Sequence, residues 1–280
     1  MSSDRIFERA EWRLVFTPPA PGAWNMAVDE TLLESVYHQV SPPTLRLYAW
    51  EPPCLSLGYA QPIQDVDQGR LQQHGWELVR RPTGGRAILH TDELTYSITA
   101  PETEPRLAGG VLESYLRLST ALVQALQQME LNVQTKELDP NNQTHPAAGP
   151  VCFEVPSNYE ITVNGKKLVG SAQARKKEGI LQHGTLPLTG DLARITQGLV
   201  FDSEAQRTAA AQILLERATT VASVLGKEIN WQAAADAFVL GFQSALNLSF
   251  TQSPLTPQEL DRARQLTQEK YGRSDWTARV

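Results

Sequence analysis

Asn164-Gly165 stands between two strand-like runs, Ile161-Thr162-Val163 and Lys166-Lys167-Leu168-Val169. A two-residue connection of this kind selects a type I′ turn, because both residues must take positive φ and Asn-Gly does so readily. The turn fixes the register: Val163 pairs with Lys166, and Thr162 with Lys167. Alternation then predicts Ile161, Val163, Leu168 and the stem of Lys166 on one face. Glu160, Thr162, Lys167 and Val169 share the other, so the two lysines point apart. These residues allow two solvated turn lysines, or a Lys167 that faces a site while Lys166 runs out along the core edge. The next residues, Gly170-Ser171-Ala172, are small enough for a ligand to lie against the backbone. A hairpin also argues against a strictly parallel sheet.

Other short runs rich in β-branched and aromatic residues predict strands at 12–16, 45–50, 54–59, 77–79 and 94–99, with more between 159 and 188. Trp24, Val28, Leu32 and Val36 recur every fourth residue and predict a helix over 24–37. Val111, Tyr115, Leu118, Leu122, Leu126 and Met129 give a second helix its apolar face. Residues 139–150 are rich in Asn, Pro and Gly and read as an exposed loop. The C-terminal third reads as helices over 205–225 and 231–246, the latter turning Trp231, Ala235, Phe238, Phe242 and Ala245 inward. A last helix opens at Thr256-Pro257-Gln258-Glu259, where Thr256 caps, Pro257 takes the first position and Glu259 completes a capping box. The expected fold is α+β: mixed, largely antiparallel sheets flanked by helices.

With 280 residues, 41% of them hydrophobic, the chain can bury a real core. A net charge of −6 argues against a duplex nucleic-acid binder. Two cysteines make no disulfide framework and show no C-x-x-C zinc spacing, so a reducing cytoplasm is the expected setting. The polar Met1-Ser2-Ser3-Asp4-Arg5 start lacks the apolar stretch of a signal peptide, and no apolar run nears the roughly 20 residues of a membrane span.

Two further segments carry possible chemistry. Arg80-Arg81-Pro82-Thr83-Gly84-Gly85-Arg86 follows a strand-like run. Paired glycines leave backbone N–H groups exposed, and arginines offer forked donors to phosphate or carboxylate. An ordinary solvated turn fits the same residues. The segment is neither a Walker loop nor a G-x-G-x-x-G fingerprint. Cys152 lies in a stretch flanked by Pro150 and Pro156. Its thiol becomes a nucleophile if a nearby ammonium lowers its pKa, and is otherwise a core residue. Cys54 alternates within a strand and reads as core. His38, His74, His90, His145 and His183 show no metal spacing, and no metal is expected. His90 and His183 adjoin the two segments of interest and suit a proton shuttle or a polar lining.

Taken in order, six blocks resemble those of the lipoate/biotin protein ligase and octanoyltransferase superfamily. They are Asn25-Met26-Ala27-Val28-Asp29-Glu30, Leu45-Arg46-Leu47-Tyr48-Ala49-Trp50, Ser56-Leu57-Gly58-Tyr59-Ala60-Gln61, Arg80-Arg81-Pro82-Thr83-Gly84-Gly85, Gly165-Lys166-Lys167-Leu168-Val169-Gly170-Ser171-Ala172-Gln173 and Leu181-Gln182-His183-Gly184. The tail Lys270-Tyr271-Gly272-Arg273-Ser274-Asp275-Trp276 is similar to the family's C-terminal end. The Arg86-Ala87-Ile88-Leu89-His90 variant, with Cys152-Phe153 ahead of Pro156-Ser157, looks like the cysteine-dependent octanoyltransferases rather than the ATP-dependent ligases.

This resemblance implies a catalytic domain over 1–250 and a helical extension over 251–280 packed on it. It implies transfer of octanoyl from acyl carrier protein to a lysine of a lipoyl carrier domain, such as glycine cleavage H protein. Cys152 would form the thioester and Lys167 would contact the acyl carbonyl. Gly84, Gly85, Ser171 and Ala172 would line an apolar slot, and Arg80 and Arg81 would hold the carrier's phosphate or acidic face. Thr83, His90, Gly170, His183 and Gly184 would complete the substrate site. No cofactor is implied beyond the phosphopantetheine that carries the donor acyl group, and no nucleic acid or membrane partner. Three alternatives stay open: an amidotransferase between lipoyl domains, an ATP-dependent ligase, and a non-catalytic lipoyl-domain binder.

Overall fold

The computed structural model describes residues 7–137 and 159–280; Cys152 and the loop expected at 139–150 lie outside the described residues. In chain order the strands and helices are β1 (Ala10–Phe16), α1 (Gly22–Tyr37), β2 (Thr44–Tyr48), β3 (Cys54–Leu57), α2 (Gln68–His74), β4 (Glu77–Arg80), β5 (Ile88–His90), β6 (Glu93–Ala100), α3 (Val111–Gln128), β7 (Gln134–Glu137), β8 (Tyr159–Val163), β9 (Lys166–Lys176), β10 (Gly179–Pro187), α4 (Glu204–Arg217), α5 (Val221–Leu225), α6 (Trp231–Leu246), β11 (Leu248–Gln252), α7 (Pro257–Leu266) and α8 (Ser274–Thr277).

Eight strands form one sheet in the order β11-β1-β2-β6-β10-β9-β8-β7, and β4-β3-β5 form a second, smaller one. The large sheet is antiparallel from β2 to β7. β1 pairs in parallel with both β2 and β11, and β3 with β4, so the sheets are mixed.

Alternation gives the central strands two unlike faces. Leu45, Leu47, Leu94, Tyr96, Ile98 and Leu186 point into the main core, where they meet Leu118 and Leu122 of α3 and Phe238 and Phe242 of α6. The opposite face carries Arg46, Tyr48, Thr95, Ser97, His183 and Thr185, all buried. Two cross-strand rows run over this polar face: Arg46–Ser97–His183–Ala172 and Tyr48–Thr95–Thr185–Gly170. Helix α1 covers it and lowers Asn25 and Asp29 onto the first row.

The structure departs from the sequence expectations at several elements, each for a physical reason. The helix expected over 205–225 is two. Ala218 bridges to Lys167 along the edge of β9 where β10 has ended, and the Thr219 N–H donates to the Lys167 carbonyl. Thr220 then caps α5 by accepting from the Ser223 N–H. No Gly or Pro marks this break, because tertiary pairing overrides helix propensity there. Val111, expected on the apolar stripe of α3, is 51% exposed at the first position of the helix. The boundary expected at residue 250 falls inside β11, which pairs with β1. The segment beyond is stitched on by Arg13–Glu259 (2.6 Å) and Lys270–Glu30 (2.6 Å). The Thr256 capping box of α7 is present as expected.

Candidate active site

The Asn164-Gly165 turn forms with φ of 52° and 76°, and Val163 pairs with Lys166 and Thr162 with Lys167. One residue later the register shifts, so that Ile161 faces Val169 and Leu168 is the extra residue of a bulge. The expected partition of the hairpin is corrected accordingly. Ile161, Val163, Leu168 and Val169 all enter the main core. By the same alternation, Lys167 shares a face with Gly170 and Ala172, which an unbroken ladder would have denied it. Lys167 is 6% exposed. Lys166 lies along the edge, its Nζ donating to the Leu215 carbonyl at 2.6 Å.

Tyr48, Trp50, Arg81, Ile88, His90, Thr95, Gly170, Ser171, Ala172, His183, Gly184 and Thr185 line a narrow cleft. It sits on the polar face, under the Arg–Gly turn. Arg81, His90, Gly170, Ser171, Ala172, His183 and Gly184 were expected at a substrate site, and the fold brings them together here. Gly184 has to be glycine, since a Cβ there would press on the Gly170 carbonyl oxygen at 2.5 Å. Lys167 lies about 10 Å along β9 from Gly170, at three residues of strand rise.

The Arg–Gly turn is held from several sides. Arg81 donates to the Ser56 carbonyl (2.8 Å) and hydroxyl (2.5 Å), and to the carbonyls of Gly84 (3.2 Å) and Arg86 (3.0 Å). Gly58 packs so closely that a Cβ would overlap the Gly85 carbonyl. Arg80 does not match the phosphate-binding role expected of it. Its guanidinium is fully buried and donates to the carbonyls of Gly58, Tyr59, Gln61 and Thr277, joining the loop 58–61 to the C-terminal segment. Thr83 is fully buried and its Oγ1 lies 2.6 Å from His183 Nε2.

Beneath the cleft lies a network of which sequence reasoning singled out only His183, while Asp29, Arg46 and Tyr48 stood within family blocks. Asp29 accepts from Arg46 (2.7 Å), Ser97 (2.7 Å) and Tyr48 (3.0 Å), with His183 Nδ1 at 3.3 Å. All five N–H groups of Arg46 are used, by Thr17, Asn25 and Asp29. Burial opposes the Asp29 charge, but Arg46, His183 and Ser97 outweigh it and lower its pKa. Burial lowers that of His183 despite Asp29, keeping the imidazole neutral near pH 7.

A second cluster closes the other wall. His90 Nδ1 meets Glu93 at 2.6 Å and Nε2 meets Ser56 Oγ at 2.6 Å. Trp50 stacks on His90 at 3.9 Å and donates from Nε1 to Thr95 at 2.8 Å. The one sequence signal for this face was the alternation of Thr95, Ser97 and Thr99 with Leu94, Tyr96 and Ile98, which marks a strand with a buried polar side. Cys54 is fully buried, and burial raises its pKa well above the ordinary thiol value, as befits a core residue. Among the described residues no three His, Cys, Asp or Glu side chains are grouped as a metal would require. No helix of the described residues is long and apolar enough to cross a membrane.

Comparison with known proteins agrees with this geometry. Residues 21–243 match the lipoyl protein ligase A/B catalytic domain. The octanoyltransferase LipM of Carboxydothermus hydrogenoformans is 38% identical over 269 residues, spanning 96% of this chain and 98% of that protein. That of Kyrpidia tusciae is 39% identical over 271 residues, again with 96% and 98% covered. The bipartite lipoate protein ligase of Thermoplasma acidophilum superimposes with a TM-score of 0.79 at 23% identity over 96% of both chains, a likeness of fold.

Proposed function

Because the chain belongs to the lipoyl protein ligase A/B catalytic family and is an octanoyltransferase of lipoate biosynthesis, we propose that it takes octanoyl from acyl carrier protein. In this reading the acceptor is a lysine of a lipoyl domain, such as that of glycine cleavage H protein, and Cys152 carries the acyl group between them. The observation that supports it most is the bulge at Leu168, which sets Lys167 on the same face as the cleft. The expected chemistry needs an ammonium beside a slot for an acyl chain.

The Cys152 thiolate attacks the thioester carbonyl, and the carrier thiol leaves with the donor arm. The acceptor ε-amine then attacks the acyl-enzyme, the amide forms, and the Cys152 sulfur departs as thiolate while the amine gives up its proton. Lys167 stabilises the thiolate and the oxyanion of each addition. The acyl chain lies along Gly170, Ser171 and Ala172, with Trp50, Ile88 and His90 on the facing wall. Burying about six methylenes at about 0.8 kcal/mol each contributes about 5 kcal/mol and favours a medium chain. Arg81 holds the turn over the acyl group, its terminal N–H groups donating to Ser56, Gly84 and Arg86. The reading calls for no cofactor beyond the donor's own arm. It places the protein with the reduced thiols of the cytoplasm, and with neither nucleic acid nor membrane.

The test offers three donors to the full chain with an H protein as acceptor: octanoyl-carrier protein, free octanoate with ATP and Mg²⁺, and an octanoylated second lipoyl domain. Transfer from the first, abolished in Cys152→Ala and slowed in both half-reactions in Lys167→Ala, is expected. Transfer from either of the others alone would replace this reading with a ligase or an amidotransferase.

A further inference from the structure

We propose that Asp29 is a positioning residue for acyl transfer, holding His183 in the Nδ1–H tautomer so that His183 fastens the Arg–Gly turn to the sheet through Thr83. The argument begins with what each atom can do. A carboxylate only accepts, so the His183 nitrogen facing Asp29 Oδ2 at 3.3 Å carries the hydrogen. A neutral imidazole has one N–H, which leaves Nε2 as acceptor. Thr83 Oγ1, 2.6 Å away, is then the donor.

The carboxylate is itself fixed. Arg46 is fully buried, its N–H groups are all engaged, and it approaches Asp29 at 2.7 Å. Tyr48 and Ser97 donate to the same carboxylate. Arg81 and His90 also act on His183, and both disfavour an imidazolium. The chain Arg46–Asp29–His183–Thr83 therefore has one consistent set of donors.

Its position gives it a consequence for the reaction. Thr83 immediately precedes Gly84-Gly85, and His183 lines the cleft one residue from Gly184. A second chain of the same build, Glu93–His90–Ser56, ends on Ser56, which holds Arg81 of the same turn. Two hydroxyl–imidazole–carboxylate chains thus tie the turn to the large sheet on either wall of the cleft. Asp29 touches no reacting atom in this account; it acts through His183. The predicted effect on rate rests on the reading of the cleft as the acyl site, whereas the tautomer does not.

The test has two independent arms on the full chain. Long-range ¹H–¹⁵N NMR of histidine-labelled protein should show His183 neutral with the proton on Nδ1, and Asp29→Asn should move it to Nε2. In steady-state transfer, Thr83→Val should lower kcat between about 10- and 100-fold with a nearly unchanged KM for the octanoyl donor. Thr83→Ser, which keeps the hydroxyl, should restore the rate. An Nε2–H tautomer in the wild-type protein, or a Thr83→Val enzyme as fast as wild type, overturns the proposal. Should Asp29→Asn not fold, the wild-type spectrum and the Thr83 pair still decide. A wild-type protein that moves no octanoyl would instead sink the functional reading and leave the tautomer result standing.

Discussion

Asp29 answers to Arg46, Tyr48, Ser97 and His183 at once, from a site with no exposure to solvent. Removing that carboxylate strands the buried Arg46 guanidinium without its counter-charge. Asp29→Ala should therefore lose about 3–5 kcal/mol of stability, read as a large fall in denaturation midpoint. Cys54→Ala should leave octanoyl transfer unchanged, because the thiol packs against core residues and faces no cleft. Gly22 lies so close that its Cβ would overlap the Cys54 sulfur. Gly22→Ala should thus destabilise, and adding Cys54→Ala should recover part of the loss, as a double-mutant cycle would measure. At this scale the sequence was least legible. Asp29 and His183 are separated by 154 positions, and nothing local to either says that they meet. Arg80 and Arg81 look alike in the sequence and both brace backbone carbonyls, yet Arg80 ties the loop 58–61 to Thr277 while Arg81 holds its own turn and lines the cleft.

The hairpin shows how far local chemistry carries. Asn164-Gly165 was enough to fix the turn and the first two pairs, since the dihedral demand is met within two residues. The bulge one step later was not readable, because Leu168 and Val169 are both apolar and suit either face. Gly165→Ala should cost about 1–2 kcal/mol by forcing a side chain into a φ of 76°, seen as a lowered melting temperature. Helices α1, α3 and α6 were legible from their periodicity. The break between α4 and α5 was not, because its cause is pairing with β9 rather than anything in its own sequence.

For the molecule as a whole, charge sets the dependence on pH. Burial works against ionisation of Asp29, Glu30, Glu93 and Glu259, yet their partners outweigh it and each pKa falls below the ordinary carboxylate value. Such groups stabilise the fold above their unfolded values of roughly 3.9–4.3, and that contribution is lost as the pH falls through the lower folded values. His183 is also lowered, chiefly by burial, so the unfolded chain takes up its proton first, near 6.5. Stability should decline in two stages on acidification, a shallow one below about 6.5 and a steep one below about 4. Denaturation midpoints across that range check both. A flat profile between pH 7 and 5 would contradict the neutral, buried imidazole.

The α+β architecture and the gathering of Arg81, Gly170-Ser171-Ala172 and His183-Gly184 about one cleft were foreshadowed by the order of sequence blocks, whereas Gly84 and Gly85, expected to line the slot, stand exposed outside it. The polar underside of the sheet that supports the cleft was not foreshadowed, because its members come from four strands and a helix. The covalent step is read most directly by intact mass spectrometry of the full chain mixed with octanoyl-carrier protein. The account predicts one octanoyl group on Cys152, absent in Cys152→Ala and discharged when a lipoyl domain is added. Full transfer to that domain by Cys152→Ala, with no acylated enzyme at any time, would contradict it.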